Sequence, residues 1–381
     1  MRTTFAILTA SVIAAGSVGA QTVADTAAVA GNLVARMQLQ AGERVLLVAI
    51  PGRSDALIPA LRQRISRAGA TDLGVLAPIG QPPESWSTGF TRNAPTDRAG
   101  LATYLATVDL AVMMPGVTAM APAYTAMQDV LRSGRGRTIH FHWEGAYALD
   151  GSTLPITPER AAVYERVLRD TDYAALGATQ AAFERAVRGG RVRVTTPAGT
   201  DITFEVRDRP VTRQDGDASA ARAAQGRNLI DREVELPAGA IRIAPVEETV
   251  NGRIAFPAGE WGGERVTGLV MRFASGRVVD LVADSGVAGV NRELAQAGDA
   301  GRAFREFALG FNPLLAIPET DDRWIPYYGY GAGVVRLSLG DNTELGGRVG
   351  GGYVRWNFFT DATVTVGSDT WVAAGKLVRT R

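Results

Sequence analysis

Arg44-Val45-Leu46-Leu47-Val48-Ala49-Ile50, closed by Pro51-Gly52, is an unbroken apolar run of strand length. A run with no polar alternation suits a strand covered on both faces, as in parallel sheets flanked by helices. Working outward, residues 22–39 carry helical apolar spacing, and Ser54 can cap a helix that stops at Gly69. Residues 72–77, 109–114 and 137–143 predict three further strands. Helical spacing at 96–107, 122–132 and 158–168 separates or follows them. This alternation is that of βαβ units and predicts a mostly parallel sheet covered by helices.

A further helix over 172–188 ends at Gly189-Gly190, and the texture then changes. Residues 191–196 and 200–206 alternate with period two around Pro197-Ala198-Gly199, which predicts a hairpin. Short strands with Gly and Pro turns follow, and helical spacing returns only at 287–297 and 300–305. The polar stretch 214–227 reads as a surface loop. The expected fold class is α/β, with an N-terminal α/β domain at 21–189 and a β-rich C-terminal domain at 190–381. Residues 1–20 read as a cleaved export signal. Arg2 is followed by a short apolar run over 5–15 and by Val18-Gly19-Ala20 before Gln21. The mature chain is therefore expected in the periplasm or secreted. No later segment is apolar enough to cross a membrane.

Composition excludes several chemistries. Forty basic against thirty-nine acidic residues leave a formal charge of +1, which gives no bulk attraction for nucleic acid or an anionic membrane. Absence of cysteine excludes thiol nucleophiles and zinc–thiolate sites. Lys376 is the only lysine, so there is no Gly-Lys-Ser/Thr phosphate loop, and no Gly-x-Ser-x-Gly elbow occurs. The only two histidines are His140 and His142. In an extended strand they share one face with Glu144, a set that could supply three metal ligands with water as the fourth. The plainer alternative is packing at a strand end.

In the second half, Leu236-Pro237-Ala238-Gly239-Ala240-Ile241-Arg242-Ile243-Ala244-Pro245 resembles a Leu-Pro-x-Gly-Glu-Val-x-x-Ala-Pro motif. Glu306 to Pro313 resembles Glu-x-x-x-Gly-x-Asn-Pro, Gly333 to Asn342 resembles Gly-x-x-His-x-x-x-Gly-Asp-Asn, and Val354 to Phe358 resembles a His-x-Asp strand. In this order the segments resemble the thermophilic metallo-aminopeptidases, aminopeptidases T and S, over residues 161–378. A ring-cleaving dihydroxypyridine dioxygenase that holds iron is a related branch of that fold. The resemblance implies an N-terminal α/β domain, a β-rich C-terminal domain, a homodimer and a site for two divalent metals, zinc or cobalt. It also implies removal of N-terminal residues from peptides by metal-assisted hydrolysis.

Carried over position by position, the metal ligands are mostly replaced. Ala240 stands at the first glutamate, Arg336 and Arg355 at the two histidines, and Asn357 at the aspartate; Glu306 alone is retained. Thr343 falls near a tyrosine of some members. Guanidinium has no lone pair for a cation. The inherited site is therefore expected to be lost, with Glu306, Arg336, Arg355 and Asn357 still converging. They would form either an internal ion-pair cluster or a pocket for a small carboxylate or phosphate, whose oxygens match Arg forks. The remaining alternatives are a residual metallo-enzyme and a metal relocated to His140 and His142.

Overall fold

The computed structural model describes residues 26–141, 145–320 and 322–379. Helix α1 (Thr26–Met37) leads into β1 (Arg44–Val48), α2 (Leu57–Arg67), β2 (Thr71–Leu76), α3 (Arg98–Leu105), β3 (Leu110–Met113), α4 (Pro122–Arg132) and β4 (Arg137–Phe141). Leu46, Leu47 and Val48 of β1 are completely buried, as an unalternated apolar strand requires. Asp97 caps α3 by accepting from the Gly100 amide, and Pro122 opens α4, where its missing N–H costs nothing. Helices α5 (Pro158–Asp170) and α6 (Tyr173–Gly189) follow.

The rest is mainly strand: β5 (Val192–Thr195), β6 (Asp201–Phe204), β7 (Val211–Arg213), β8 (Glu233–Leu236), β9 (Ala240–Ile243), β10 (Asn251–Ala255), β11 (Val270–Ala274) and β12 (Arg277–Val282). Helix α7 (Val287–Gln296) precedes β13 (Phe304–Gly310), β14 (Val335–Gly340), β15 (Val354–Arg355), β16 (Phe358–Phe359), β17 (Thr363–Val366), β18 (Asp369–Ala373) and β19 (Lys376–Leu377). The helical reading of 300–305 thus gives way at Phe304.

A five-stranded parallel sheet has the order β8-β4-β3-β1-β2. Its edge strand β8 comes from the second half of the chain, and Glu233 sits in register with Thr138. Only residues 237–239 separate the end of β8 from β9, the start of a different sheet. That antiparallel sheet runs β15-β14-β13-β9-β7, with β16 also on β14. A second antiparallel sheet runs β12-β11-β10-β6-β5-β17-β18-β19, and β5 with β6 is the expected hairpin. Gly239, at the passage between sheets, has no room for a side chain: a Cβ there would lie 2.6 Å from the Tyr330 carbonyl oxygen.

One buried cluster joins Val29 and Leu33 of α1, Val45 of β1, Phe307 of β13 and Val364 of β17. Phe183 of α6 packs its ring 5.4 Å from Phe311 and 5.0 Å from Trp371. The first part of the 214–227 stretch is a correction: Gln214, Asp215, Ala218 and Arg222 are buried, whereas Ala224 to Arg227 are exposed as a surface loop would be. Polarity there is satisfied internally, since Arg222 reaches Asp215 at 2.9 Å and Arg137 donates to the Ala218 carbonyl at 2.8 Å. No helix among the described residues is long and apolar enough to cross a membrane. The proposed export signal lies outside the described residues.

Candidate functional site

Strand β13 lies between β9 and β14. Ala308 is in register with Arg242 on one side and Arg336 on the other. Residues two apart share a face, so Glu306 lies on the face that carries both arginines. The small Ala308 leaves space for the two guanidiniums to lean over it. Arg336 Nε donates to Glu306 Oε1 at 2.8 Å, and Arg242 Nη2 donates to Oε2 at 2.9 Å. Arg305 Nε stands 3.6 Å from Oε2. Glu306 is wholly buried. Burial alone would raise its carboxyl, but Arg242, Arg336 and Arg305 outweigh burial and hold it far below the usual carboxylate range.

Glu344 extends the cluster. It accepts from Arg242 at 2.8 Å and from Arg305. Three guanidiniums thus share two carboxylates. Arg336 also donates to the Tyr328 carbonyl at 3.0 Å and lies 4.7 Å from the Trp356 ring centre. Its charge is enclosed by acceptors and an aromatic face, as a buried guanidinium requires.

The expected convergence is only half realised. Arg336 reaches Glu306, but Arg355 binds Glu293 at 2.8 Å and covers the Trp261 ring at 3.4 Å. Asn357 accepts from Arg355 at 3.3 Å and donates to the Leu337 carbonyl at 3.1 Å. These two form a separate group. The reason is the break between β15 and β16, which brings Trp356 instead of Arg355 over Arg336. Thr343 belongs to a turn in which Asp341 accepts from its amide at 2.9 Å.

His140 is buried on β4. Its Nδ1 is 3.0 Å from the Tyr124 hydroxyl, and its Nε2 is 3.1 Å from Glu233 and 3.3 Å from the Thr138 hydroxyl. Burial drives the ring down to about 3, so it is neutral at physiological pH. Both nitrogens are engaged within the protein, which leaves neither for a metal. His142 and Glu144 lie outside the described residues. Among the described residues no three His, Asp or Glu side chains gather as a metal site.

Sequence reasoning missed Arg242 and Arg305, and gave Glu344 no role because a carboxylate at a turn is usually solvated. Arg242 carried a usable signal: it lies two residues after Ala240, so in a strand it projects from the same face as the position that the resemblance gives to the first glutamate. Glu233 was also missed. Burial and the nearby Glu344 raise its carboxyl to about 7, against hydrogen bonds from Tyr124 and Gln128.

The sequence matches no protein-family profile and no curated protein. Solved structures do match. A 2,5-dihydroxypyridine dioxygenase from Pseudomonas putida KT2440 aligns at TM-score 0.60 and 15% identity, covering 93% of this chain and 96% of that one. Wild-type AmpT from Thermus thermophilus aligns at TM-score 0.58 and 18% identity, covering 93% of this chain and 99% of that one. The likeness is one of fold and runs through nearly the whole of each chain. The divalent metal that the sequence resemblance leads one to expect does not fit the residues here, because guanidinium donors take both Glu306 oxygens. The chain shares the α/β fold of AmpT and the dihydroxypyridine dioxygenase and carries an arginine–glutamate cluster around Glu306.

Proposed function

We propose that this chain is an exported binding protein on a metallo-aminopeptidase-like fold, a divergent relative whose cation site has closed into an internal ion-pair cluster. The observation that carries the reading is Glu306, buried and bound through both oxygens by Arg242 and Arg336. A divalent cation would have to displace these groups and then sit among like charges. The family reaction, metal-assisted removal of N-terminal residues, is on this reading not performed.

Elemental analysis of the purified protein tests it. The expected result is no stoichiometric zinc, cobalt or iron, no change in melting temperature on chelation, and no hydrolysis of aminoacyl substrates after zinc or cobalt loading. One tightly held metal per chain, with activity lost on chelation, overturns the reading. A pocket for small carboxylates between Arg336 and Arg355 has less support, because each guanidinium is already committed to a different glutamate.

A further inference from the structure

Beside the Glu306 cluster a cleft of about 610 Å³ opens between α4 and the turn after β14. Glu233, the first residue of β8, lies at its base and is 9% exposed. Its Oε1 makes every contact this carboxyl has among the described residues: the Gln128 amide at 2.7 Å, the Tyr124 hydroxyl at 3.1 Å and His140 Nε2 at 3.1 Å. All three partners are uncharged, since the His140 ring is neutral. Oε2 has no partner among the described residues. With Oε1 tied into the wall, it is the oxygen left to a ligand in the cleft. A buried carboxyl oxygen without a donor is costly, and a ligand ammonium would remove that cost with a charge-assisted hydrogen bond.

The mouth carries the opposite imbalance. Arg98 of α3 and Arg132 of α4 line it, with side chains 65% and 60% exposed. They share one carboxylate, Asp129, which Arg98 grips through two nitrogens and Arg132 touches only at 3.4 Å. One positive charge is left over. On the far wall Arg305 is paired with Glu344, while Asp341 accepts from the amides of Thr343 and Gly352, each at 2.9 Å, and has no cation partner among the described residues. A simple cation would meet the surplus arginine on entry, and a simple anion would meet Glu233 and Asp341 inside. A molecule with an ammonium at one end and an acid group at the other suits both. Gln128, which holds Glu233, precedes Arg132 by one turn of α4, a rise of about 6 Å. An α-amino acid carries both charged groups on one carbon, too close together to match that spacing.

We propose that this cleft binds a small ω-amino acid, its ammonium on Glu233 and its carboxylate at the mouth beside Arg98 and Arg132. The proposal deepens the binding-protein reading above and rests on it. Calorimetric titration of the full-length protein with γ-aminobutyrate and ε-aminocaproate tests it, with butylamine, butyrate and glycine as comparisons. At least one ω-amino acid is expected to bind about tenfold or more tighter than any comparison. Glu233→Gln, which keeps the shape and removes the charge, is expected to weaken it at least about tenfold. Arg132→Met, which leaves Arg98 and Asp129 as a neutral pair, is expected to bring it down to the affinity of butylamine. Arg132 is a surface residue, so this variant keeps the test open if the other does not fold. The ammonium needs Glu233 ionised. Burial and Glu344 raise that carboxyl to about 7, against the bonds from Tyr124 and Gln128 on α4 and the charge of Arg242 on β9; His140 of β4 stays neutral, and Glu235 of the same strand is held by the Tyr330 hydroxyl. Affinity is therefore expected to fall about tenfold from pH 8 to pH 6, and not to fall in Glu233→Gln. No binding of either ω-amino acid, a comparison that binds as tightly, an affinity that does not fall with pH, or binding indifferent to the folded variants overturns the proposal. A metal-free protein that binds neither ω-amino acid sinks this inference alone. Stoichiometric metal found in a protein that still binds one sinks the Glu306 reading alone.

Discussion

At the scale of single residues, Glu306 decides how the site is understood, and the energetics of buried ion pairs give it a distinctive signature. Removing one member of a buried pair strands the opposite charges, at a cost of about 3–5 kcal/mol, whereas replacing the whole group with apolar residues is often neutral. Glu306→Gln is therefore expected to destabilise the protein by about that amount, leaving Arg242 and Arg336 without their shared carboxylate. The triple change Arg242→Met, Glu306→Leu, Arg336→Met should lose far less. Urea unfolding of the two variants checks this. A triple variant as unstable as Glu306→Gln would mean that the cluster does more than fill space. Acid adds a second signature. The folded Glu306 carboxyl lies far below its unfolded value of 4.5. Its stabilisation is present above that value and is lost as pH falls through the folded one. Glu306→Gln should remove that part of the acid sensitivity.

At the scale of elements, α4, β4 and β8 meet at Tyr124, His140 and Glu233, and here the sign reverses. Glu233 has a folded value of about 7 against 4.5 unfolded. Its unfolded form releases a proton that the folded form keeps, so stability falls as pH rises from 4.5 through 7, by up to about 3 kcal/mol. His140 pulls the other way: its folded value of about 3 against 6.5 means stability is lost as pH falls below 6.5. Glu233→Gln should abolish the alkaline-side loss, so that the variant gains on the wild type between pH 5 and 8. Melting curves across that range measure it, and a constant difference between the proteins would refute it. The sequence made β1 to β4 legible because apolar runs of strand length, separated by helical spacing, leave few alternatives. It did not reveal β8 as a parallel edge strand, because Glu233-Val234-Glu235-Leu236 alternates and suits an antiparallel strand equally well. The 214–227 stretch was hidden for a related reason: polar residues paired with each other inside a protein have the composition of a loop in water. Of the site, the meeting of Arg336 with Glu306 was legible by position. The turn of Arg355 toward Glu293 depended on a backbone break that spacing does not encode.

At the scale of the whole molecule, the change of texture at Gly189 separates two kinds of secondary structure, while the packing crosses it. Ile139 and Phe141 of β4 are buried, and β4 takes β8 as its outer neighbour from beyond that point. Phe183 of α6 finds Phe307, Phe311 and Trp371 only in the second half. A fragment of residues 26–189 would expose an unpaired edge on β4 together with the apolar side of α6, a combination that favours association over folding. It is expected to lack a cooperative thermal transition and to bind a hydrophobic dye, whereas the full chain melts in one step with little dye bound. Near-UV circular dichroism distinguishes the two outcomes, because fixed aromatic packing gives a signal that a loosely collapsed fragment does not. A fragment with a sharp melt and a native near-UV spectrum would mean that the parallel sheet needs neither β8 nor the aromatic contacts of α6. The cleft along β8 would then lie between two independently stable units, free to open and close about the passage at Gly239.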